Sequence, residues 1–120
     1  MIAEAIMALW LSTVTMFGVE VEMQTVRCTC YLPTGNKTAD GTVPYEGIIA
    51  SNREHLGDTA LLYTMEGQFI GFFEARDCGG NRKLRNGSAI DVFRNDMAGA
   101  KEWIRTYGDY VQIVWIEAEG

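Results

Sequence analysis

Two aspartates lie at the ends of apolar strand faces, where a carboxylate can take part in proton transfer. In one predicted strand, Asp77 lies on the same face as Phe73 and Ala75. In another, Asp91 lies on the same face as Phe93. A carboxylate at the end of an apolar face loses hydration, which raises its pKa and lets it hold a proton near neutral pH, as a general acid must. Two such groups can divide into an acid and its partner. The alternative is that each caps a turn by accepting hydrogen bonds from the amides that follow it.

A glycine-rich, basic segment follows Asp77. Gly79 and Gly80 allow backbone N–H groups to turn toward the carboxylate or toward a substrate oxygen. The cations of residues 82–85 then come close together in a chain that is otherwise acidic. They predict a local basic rim for an anionic polymer, and the alternative is a solvated loop whose charges face water.

Other chemistries find little support in the sequence. Neither a phosphate-binding loop nor a dinucleotide-binding glycine motif is present. His55 is the only histidine; it lies in a turn beside charged residues, with no orienting partner visible in the sequence. A zinc site needs four ligands, so we expect no metal and no cofactor. The three cysteines are odd in number, and we expect Cys28 and Cys30 to be inward-facing thiols that do not pair with each other.

Length and composition indicate one small domain rich in strands. The chain has 120 residues, 48% of them hydrophobic, which is enough for one packed core. A net charge of −6 argues against nucleic acid as a partner, because phosphate binding needs a concentrated positive field. Thirteen glycines against two prolines indicate short strands joined by tight turns.

Periodicity predicts six strands and one helix. The helix covers residues 95–107, where an apolar stripe recurs at helical spacing, with Asn95 or Asp96 as the N-cap and Gly108 at the C-terminal end. Residues 32–46 are predicted to be a long surface loop, and residues 78–87 a second loop. The strands are predicted at residues 25–31, 47–51, 60–64, 69–77, 88–93 and 109–116. Closure into a small barrel would hide their edges, with a core of Val26, Cys28, Ile90, Val92, Val111, Ile113 and Trp115.

The first 24 residues form an apolar lead that has two interpretations. Its length suits the apolar part of an export signal, but Glu4 interrupts it and no Lys or Arg precedes it. It is also too short and too charged for a stable membrane span. A degenerate export signal and an N-terminal helix or strand packed on the barrel both stay open, and we place the domain at residues 25–120.

Three segments together carry a resemblance to a known family. Residues 38–42 (TADGT), 76–80 (RDCGG) and 89–93 (AIDVF) are similar, in order, to motifs of the three-aspartate or 3D domain of bacterial cell-wall enzymes. That domain occurs in membrane-bound lytic transglycosylase A and in related cell-wall proteins. The resemblance covers residues 25–116 and implies a mostly β fold: a six-stranded double-psi β-barrel with one short helix near the C-terminus.

The resemblance also implies an activity. It assigns to Asp77 the general acid and then base that cleaves the MurNAc–GlcNAc bond of peptidoglycan, and to Asp91 a supporting role. No water attacks, because the C6 hydroxyl closes onto C1 and leaves a 1,6-anhydro sugar, so one carboxylate serves both steps. The implied substrate-binding residues are Thr38, Asp40, Thr42, Gly79, Gly80, Lys83 and Arg85. We would then expect an extracytoplasmic monomer, encoded by a bacterium or by a phage that lyses one, with peptidoglycan or a related polysaccharide as its partner.

Two departures from the family pattern bear on activity. Asn52 stands where the family carries its first aspartate, and the loop after Asp77 is longer than usual. A second hypothesis is therefore a non-cutting polysaccharide-binding module of the barwin or expansin type. Its stacking platform would be Tyr31, Tyr45 and Tyr107. A third hypothesis is an aspartic-peptidase-like dimer, which would need two copies of Asp77 facing each other across a two-fold axis.

Overall fold

The structure is a computed structural model and describes residues 11–16 and 18–118. Within them lie a 3₁₀ turn (Arg53–His55) and two helices, α1 (Arg82–Arg85) and α2 (Met97–Tyr107). The strands are β1 (Leu11–Met16), β2 (Val19–Tyr31), β3 (Ile48–Ser51), β4 (Thr59–Tyr63), β5 (Phe69–Cys78), β6 (Ala89–Phe93) and β7 (Tyr110–Ile116).

Six of the strands close into a barrel. The order around the ring is β2-β6-β3-β5-β4-β7, and β7 pairs back onto β2. The pairs β2–β6 and β3–β5 are parallel, and the others are antiparallel. Strand β1 lies outside the ring as an antiparallel partner of β2. The prediction of a mostly β fold with a closed six-stranded barrel is confirmed.

The pairing pattern has an internal two-fold exchange. Replacing β2, β3 and β4 by β5, β6 and β7, and the reverse, leaves every pairing in the ring unchanged. The contact of Thr29 with Asp91 then corresponds to that of Asp77 with Ala50. The exchange therefore makes Asp77 the counterpart of Thr29, and Asp91 the counterpart of Ala50.

The core fills the barrel as the alternation of residues predicts. Val26, Cys28, Ile90, Val92, Val111 and Ile113 belong to one buried cluster, and the half-buried Trp115 packs against it. Helix α2 contributes Trp103, whose ring meets Phe73 edge-on at 5.6 Å between centroids. Asp96 caps α2 by accepting from the Gly99 N–H at 2.7 Å. Gly108 ends the helix at a positive φ of 81°, which favours glycine.

Two features differ from the predicted elements. The segment expected to be a plain loop after Asp77 contains the short helix α1, which starts where the Asn81 side chain accepts from the Lys83 N–H at 2.8 Å. Strand β2 runs unbroken through Thr25, where we placed the start of the domain. Residues 1–10 and 17 of the expected apolar lead lie outside the described residues, and the rest of the lead forms β1, the turn at Gly18 and the first part of β2. Within the described ranges, neither helix has the length and apolar character needed to cross a bilayer.

Candidate active site

Asp77 and Asp91 lie on one line that crosses four strands of the barrel. The register pairs Asp77 of β5 with Ala50 of β3, Ala50 with Asp91 of β6, and Asp91 with Thr29 of β2. Two neighbouring strand spacings separate the two aspartates, which is roughly 10 Å between their backbones. The structure thus brings together two carboxylates that are 14 positions apart in the sequence.

A β-bulge puts Asp77 on this line. The β3–β5 register pairs Ile49 with Ala75 and then shifts, so that Asp77 comes opposite Ala50 where regular pairing would place Arg76. One extra residue in β5 therefore changes which side chain faces the site. Bulges often re-aim a side chain in this way, and nothing in the alternation of the sequence announces this one.

Asp91 lies on the outer surface of β6, between the inward-facing Ile90 and Val92. Its Oδ1 accepts a hydrogen bond from the Thr29 hydroxyl at 2.7 Å. Within the described part of the chain, no hydrogen bond is made to its second oxygen, Oδ2. Burial raises the pKa of the Asp91 carboxyl, and the nearby charge of Asp77 raises it further, while the Thr29 hydrogen bond opposes the rise. Asp91 therefore holds its proton to higher pH than an ordinary aspartate does.

Asp77 is engaged on both of its oxygens. Its Oδ1 accepts from the backbone N–H of Cys78 at 2.9 Å and from that of Ala39 at 3.0 Å. Its Oδ2 accepts from the Tyr31 hydroxyl at 3.3 Å. The contact with its own following amide agrees with the turn-capping alternative, and the contact with Ala39 ties the long loop of residues 32–46 to the end of β5.

Tyr31 donates a hydrogen bond to Asp77 and is affected by the charges of both carboxylates. It follows Thr29 on the outer face of β2 and lies edge-on against Phe93, with 5.3 Å between ring centroids. Burial raises the pKa of its hydroxyl, and the charges of Asp77 and Asp91 add to that rise. The phenol therefore stays protonated and remains a donor to Asp77. The sequence analysis had placed Tyr31 only in a sugar-stacking platform.

Three of the implied substrate-binding residues build the turn that presents Ala39. Asp40 accepts hydrogen bonds from the hydroxyls of Thr38 and Thr42 at 2.7 and 2.5 Å, and Arg76 reaches it at 3.2 Å. Hydrogen bonds from Thr42 and Thr38 lower the pKa of Asp40 to about 2. The polar side chains of Thr38, Asp40 and Thr42 are used inside the turn. They therefore position the backbone N–H of Ala39, which donates a hydrogen bond to Asp77.

Asp91 lines an open groove of about 670 Å³ on the outside of the barrel. Arg27, Thr29 and Asp91 line it from strands β2 and β6, and Arg82 and Lys83 line it from α1. Its volume lies within the usual range for small-ligand sites. Asp77 does not line this groove, so the two carboxylates do not share its wall.

A second groove of about 460 Å³ lies near the other side of α1. Its lining includes Asn52, Gly79, Gly80 and Arg85, so Arg85 and Lys83 serve different grooves. Leu84 is buried at the centre of α1 and packs so closely on Gly79 that a Cβ at position 79 would collide with it. Gly79 is thus needed to seat α1 between the grooves. Asn52 caps the 3₁₀ turn by accepting from the His55 N–H at 3.3 Å.

His55 has an orienting partner that the sequence analysis missed. Its Nδ1 lies 3.0 Å from Asp58 Oδ2, and its ring stacks on Trp115 at 3.8 Å between centroids with an interplanar angle of 2°. Asp58 also accepts from the Ala118 N–H at 2.9 Å. The spacing of three residues between His55 and Asp58 was the available signal. His55 and Trp115 line a smaller cavity of about 150 Å³, and neither Asp77 nor Asp91 lines it.

The cysteines and tyrosines have separate roles. All three cysteines are free thiols, and burial raises the pKa of Cys28 to about 12 and that of Cys30 to about 11, which keeps both protonated.

Tyr107 packs edge-on against Trp103, whereas Tyr45 is exposed. In the described ranges, no cluster of three or more His, Cys, Asp or Glu side chains could hold a metal ion.

Comparison with known proteins finds no match for this chain among protein-family models or among curated proteins. The relation to the three-aspartate family therefore depends on the three sequence segments, and it enters below only as a proposal.

Proposed function

We propose that this domain cleaves the glycan strand of peptidoglycan, or of a related polysaccharide, at a MurNAc–GlcNAc bond without using water. The observation that carries the proposal is Asp91. It is a carboxyl group with a raised pKa and one uncommitted oxygen, and it lines an open groove next to a second carboxylate. A general acid needs these properties, since it must hold a proton near neutral pH and reach the substrate.

In the proposed reaction, Asp91 gives its proton to the glycosidic oxygen while the bond from C1 to that oxygen breaks. The Asp91 carboxylate then takes the proton of the C6 hydroxyl while the oxygen of that hydroxyl forms its bond to C1. The enzyme regains its starting protonation state, and no further reactant is consumed. This assignment reverses the roles that the family resemblance implies for Asp77 and Asp91, because the contacts of Asp77 face the loop and those of Asp91 face the groove.

Asp77 supports Asp91 in two ways in this scheme. Its negative charge makes ionisation of Asp91 less favourable, since adjacent carboxylates do not readily ionise together. It also accepts hydrogen bonds from Tyr31 and Ala39, which hold the loop of residues 32–46 against the end of β5 beside β2. Asp77 is therefore a positioning residue.

The release of soluble glycan from purified cell walls tests the proposal. We expect Asp91→Asn to lower the rate by about 10²- to 10⁴-fold, the usual contribution of a general acid, and Asp77→Asn to lower it less. Asp96→Asn is the matched control, because it makes the same change in charge at a helix cap where asparagine also serves. A wild-type rate in Asp91→Asn would contradict the proposed role.

A non-cutting polysaccharide-binding module is the second candidate. The observation that favours it is that only one of the two carboxylates lines the groove, together with three cations, Arg27, Arg82 and Lys83. Such a module would retain cell walls without releasing soluble glycan. The same assay therefore separates the two candidates.

A further inference from the structure

The groove beside Asp91 carries positive charge that the described part of the protein does not neutralise. Arg27 lines it from β2, and Arg82 and Lys83 line it from α1. The ion pairs of the described residues use Arg76, Arg94 and His55, and none of the three groove cations has an acidic partner there within 4.0 Å. In a chain with a net charge of −6, a local excess of unpaired cations needs an explanation.

Arg27 is the most confined of these cations. Its backbone is fixed between Ala89 of β6 and Tyr110 of β7 by the barrel register. Its guanidinium carbon lies 5.9 Å from the centre of the Tyr110 ring. The Nε of Arg27 is buried and has no hydrogen-bond partner in the described structure. The Nε of Arg94 and the Nε1 of Trp103 are buried without a partner as well, so it is the unpaired cations of this groove, rather than this nitrogen alone, that indicate a missing anion.

The geometry of the guanidinium indicates the kind of acceptor. Arginine presents up to five N–H donors in a planar fork, which matches the two oxygens of a carboxylate or a phosphate. Charge-assisted pairs of this kind are both strong and selective for planar anions. Lys83 lines the same groove from α1 and adds a second positive charge to it.

We propose that the groove binds a carboxylate group of the saccharide between Arg27 and Lys83, and that this contact places the neighbouring glycosidic bond at Asp91. Arg27 is then the residue that selects acidic over neutral glycans. The identity of the polymer rests on the proposed function, whereas the anion site rests on the groove itself.

Binding to chemically matched glycans tests the anion site. The probes are cell-wall glycan strands freed of peptide, with their sugar carboxyl groups either intact or converted to amides. Affinities are measured in the Asp91→Asn background, so that no strand is cut. We expect the intact strands to bind at least about 10-fold more tightly than the amidated ones, and Arg27→Gln to weaken their binding by roughly 10- to 100-fold.

Arg105→Gln is the control, since it removes the same charge from an exposed position of α2 that does not line this groove. It should leave the affinity within about twofold, as surface charges far from a site have small effects. If Arg27→Gln does not fold, the exposed Lys83→Gln decides, and it should lose affinity for the intact strands only. Equal affinity of the starting protein for both glycans would overturn the proposal.

The outcomes also separate this inference from the proposed function. If binding of intact strands depends on Arg27 but the wild-type protein releases no glycan, the anion site stands and cleavage is contradicted. If the protein cleaves intact and amidated strands at equal rates and Arg27→Gln does not change those rates, the proposed cleavage stands and the anion site is contradicted.

Discussion

Replacement of Asp77 by alanine should unfold the site more than replacement by asparagine, although both remove the charge. Asp77 accepts two backbone hydrogen bonds of ordinary length, from Ala39 at 3.0 Å and Cys78 at 2.9 Å, and a longer one from Tyr31 at 3.3 Å. Alanine removes every acceptor. Asparagine keeps one carbonyl oxygen for the two backbone groups and is nearly the same shape.

The size of the effect follows from these contacts. A hydrogen bond to a charged group contributes about 1.5–3 kcal/mol, and the partial exposure of Asp77 favours the lower end of that range. We therefore expect Asp77→Ala to lower the free energy of unfolding by about 2–3 kcal/mol, and Asp77→Asn by about 1 kcal/mol or less. With a urea m-value of about 2 kcal/mol/M, the midpoint of Asp77→Ala should fall by about 1 M or slightly more.

Urea unfolding followed by tryptophan fluorescence measures the midpoints, with Glu102→Ala at an exposed helix position as the control. Hydrogen exchange of the Ala39 amide gives a local measure, and it should be faster in Asp77→Ala than in Asp77→Asn. Equal stabilities of the two Asp77 variants, within about 0.5 kcal/mol, would refute the view that this carboxylate holds the loop.

Three further predictions concern the elements around the site. Leu84→Ala should cost about 2–5 kcal/mol, and Gly79→Ala should also destabilise the fold, but the double variant should lose less than the sum of the two in urea titrations, because the smaller side chain at 84 makes room for the new methyl group. Asp91→Asn should become more stable relative to the wild type as the pH rises from about 3.8. Asp91 ionises at lower pH in the unfolded chain than in the folded one, so the free energy of unfolding of the wild type falls until the pH passes the raised pKa of the folded state. Urea midpoints across that range check the sign, and a constant difference would contradict it. Asp96→Ala should lower the free energy of unfolding by about 1 kcal/mol, since it removes the helix cap; an unchanged urea midpoint would argue against the cap.

The barrel could be predicted from the sequence because its signals are local. Strict alternation places Val26 and Cys28, or Ile90 and Val92, on one face, and burial of that face decides the register. The helical stripe and its cap at Asp96 are equally local. Alternation also placed Asp91 opposite Ile90 and Val92, but the structure puts it on the outer face of β6 and not at the end of an apolar face.

The arrangement of the site could be predicted only in part. Asp77 reaches the line of Asp91 through a bulge, and a bulge depends on pairing with Ala50 across the barrel rather than on local pattern. Helix α1 is four residues long, too short for periodicity to reveal. The proposed role of Arg27 depends on the groove that it lines together with α1, and the position of Arg27 in an alternating strand does not predict that groove.

Digestion of purified cell walls in water enriched in heavy oxygen tests the central claim most directly. Mass analysis of the released glycan ends should show 1,6-anhydro sugars that contain no heavy oxygen, because the C6 hydroxyl and not water attacks C1. Asp91→Asn should yield almost none of this product, whereas Asp96→Asn should yield as much as the wild type. Ends that carry heavy oxygen, or the absence of any released glycan from the wild-type protein, would contradict cleavage by the proposed mechanism.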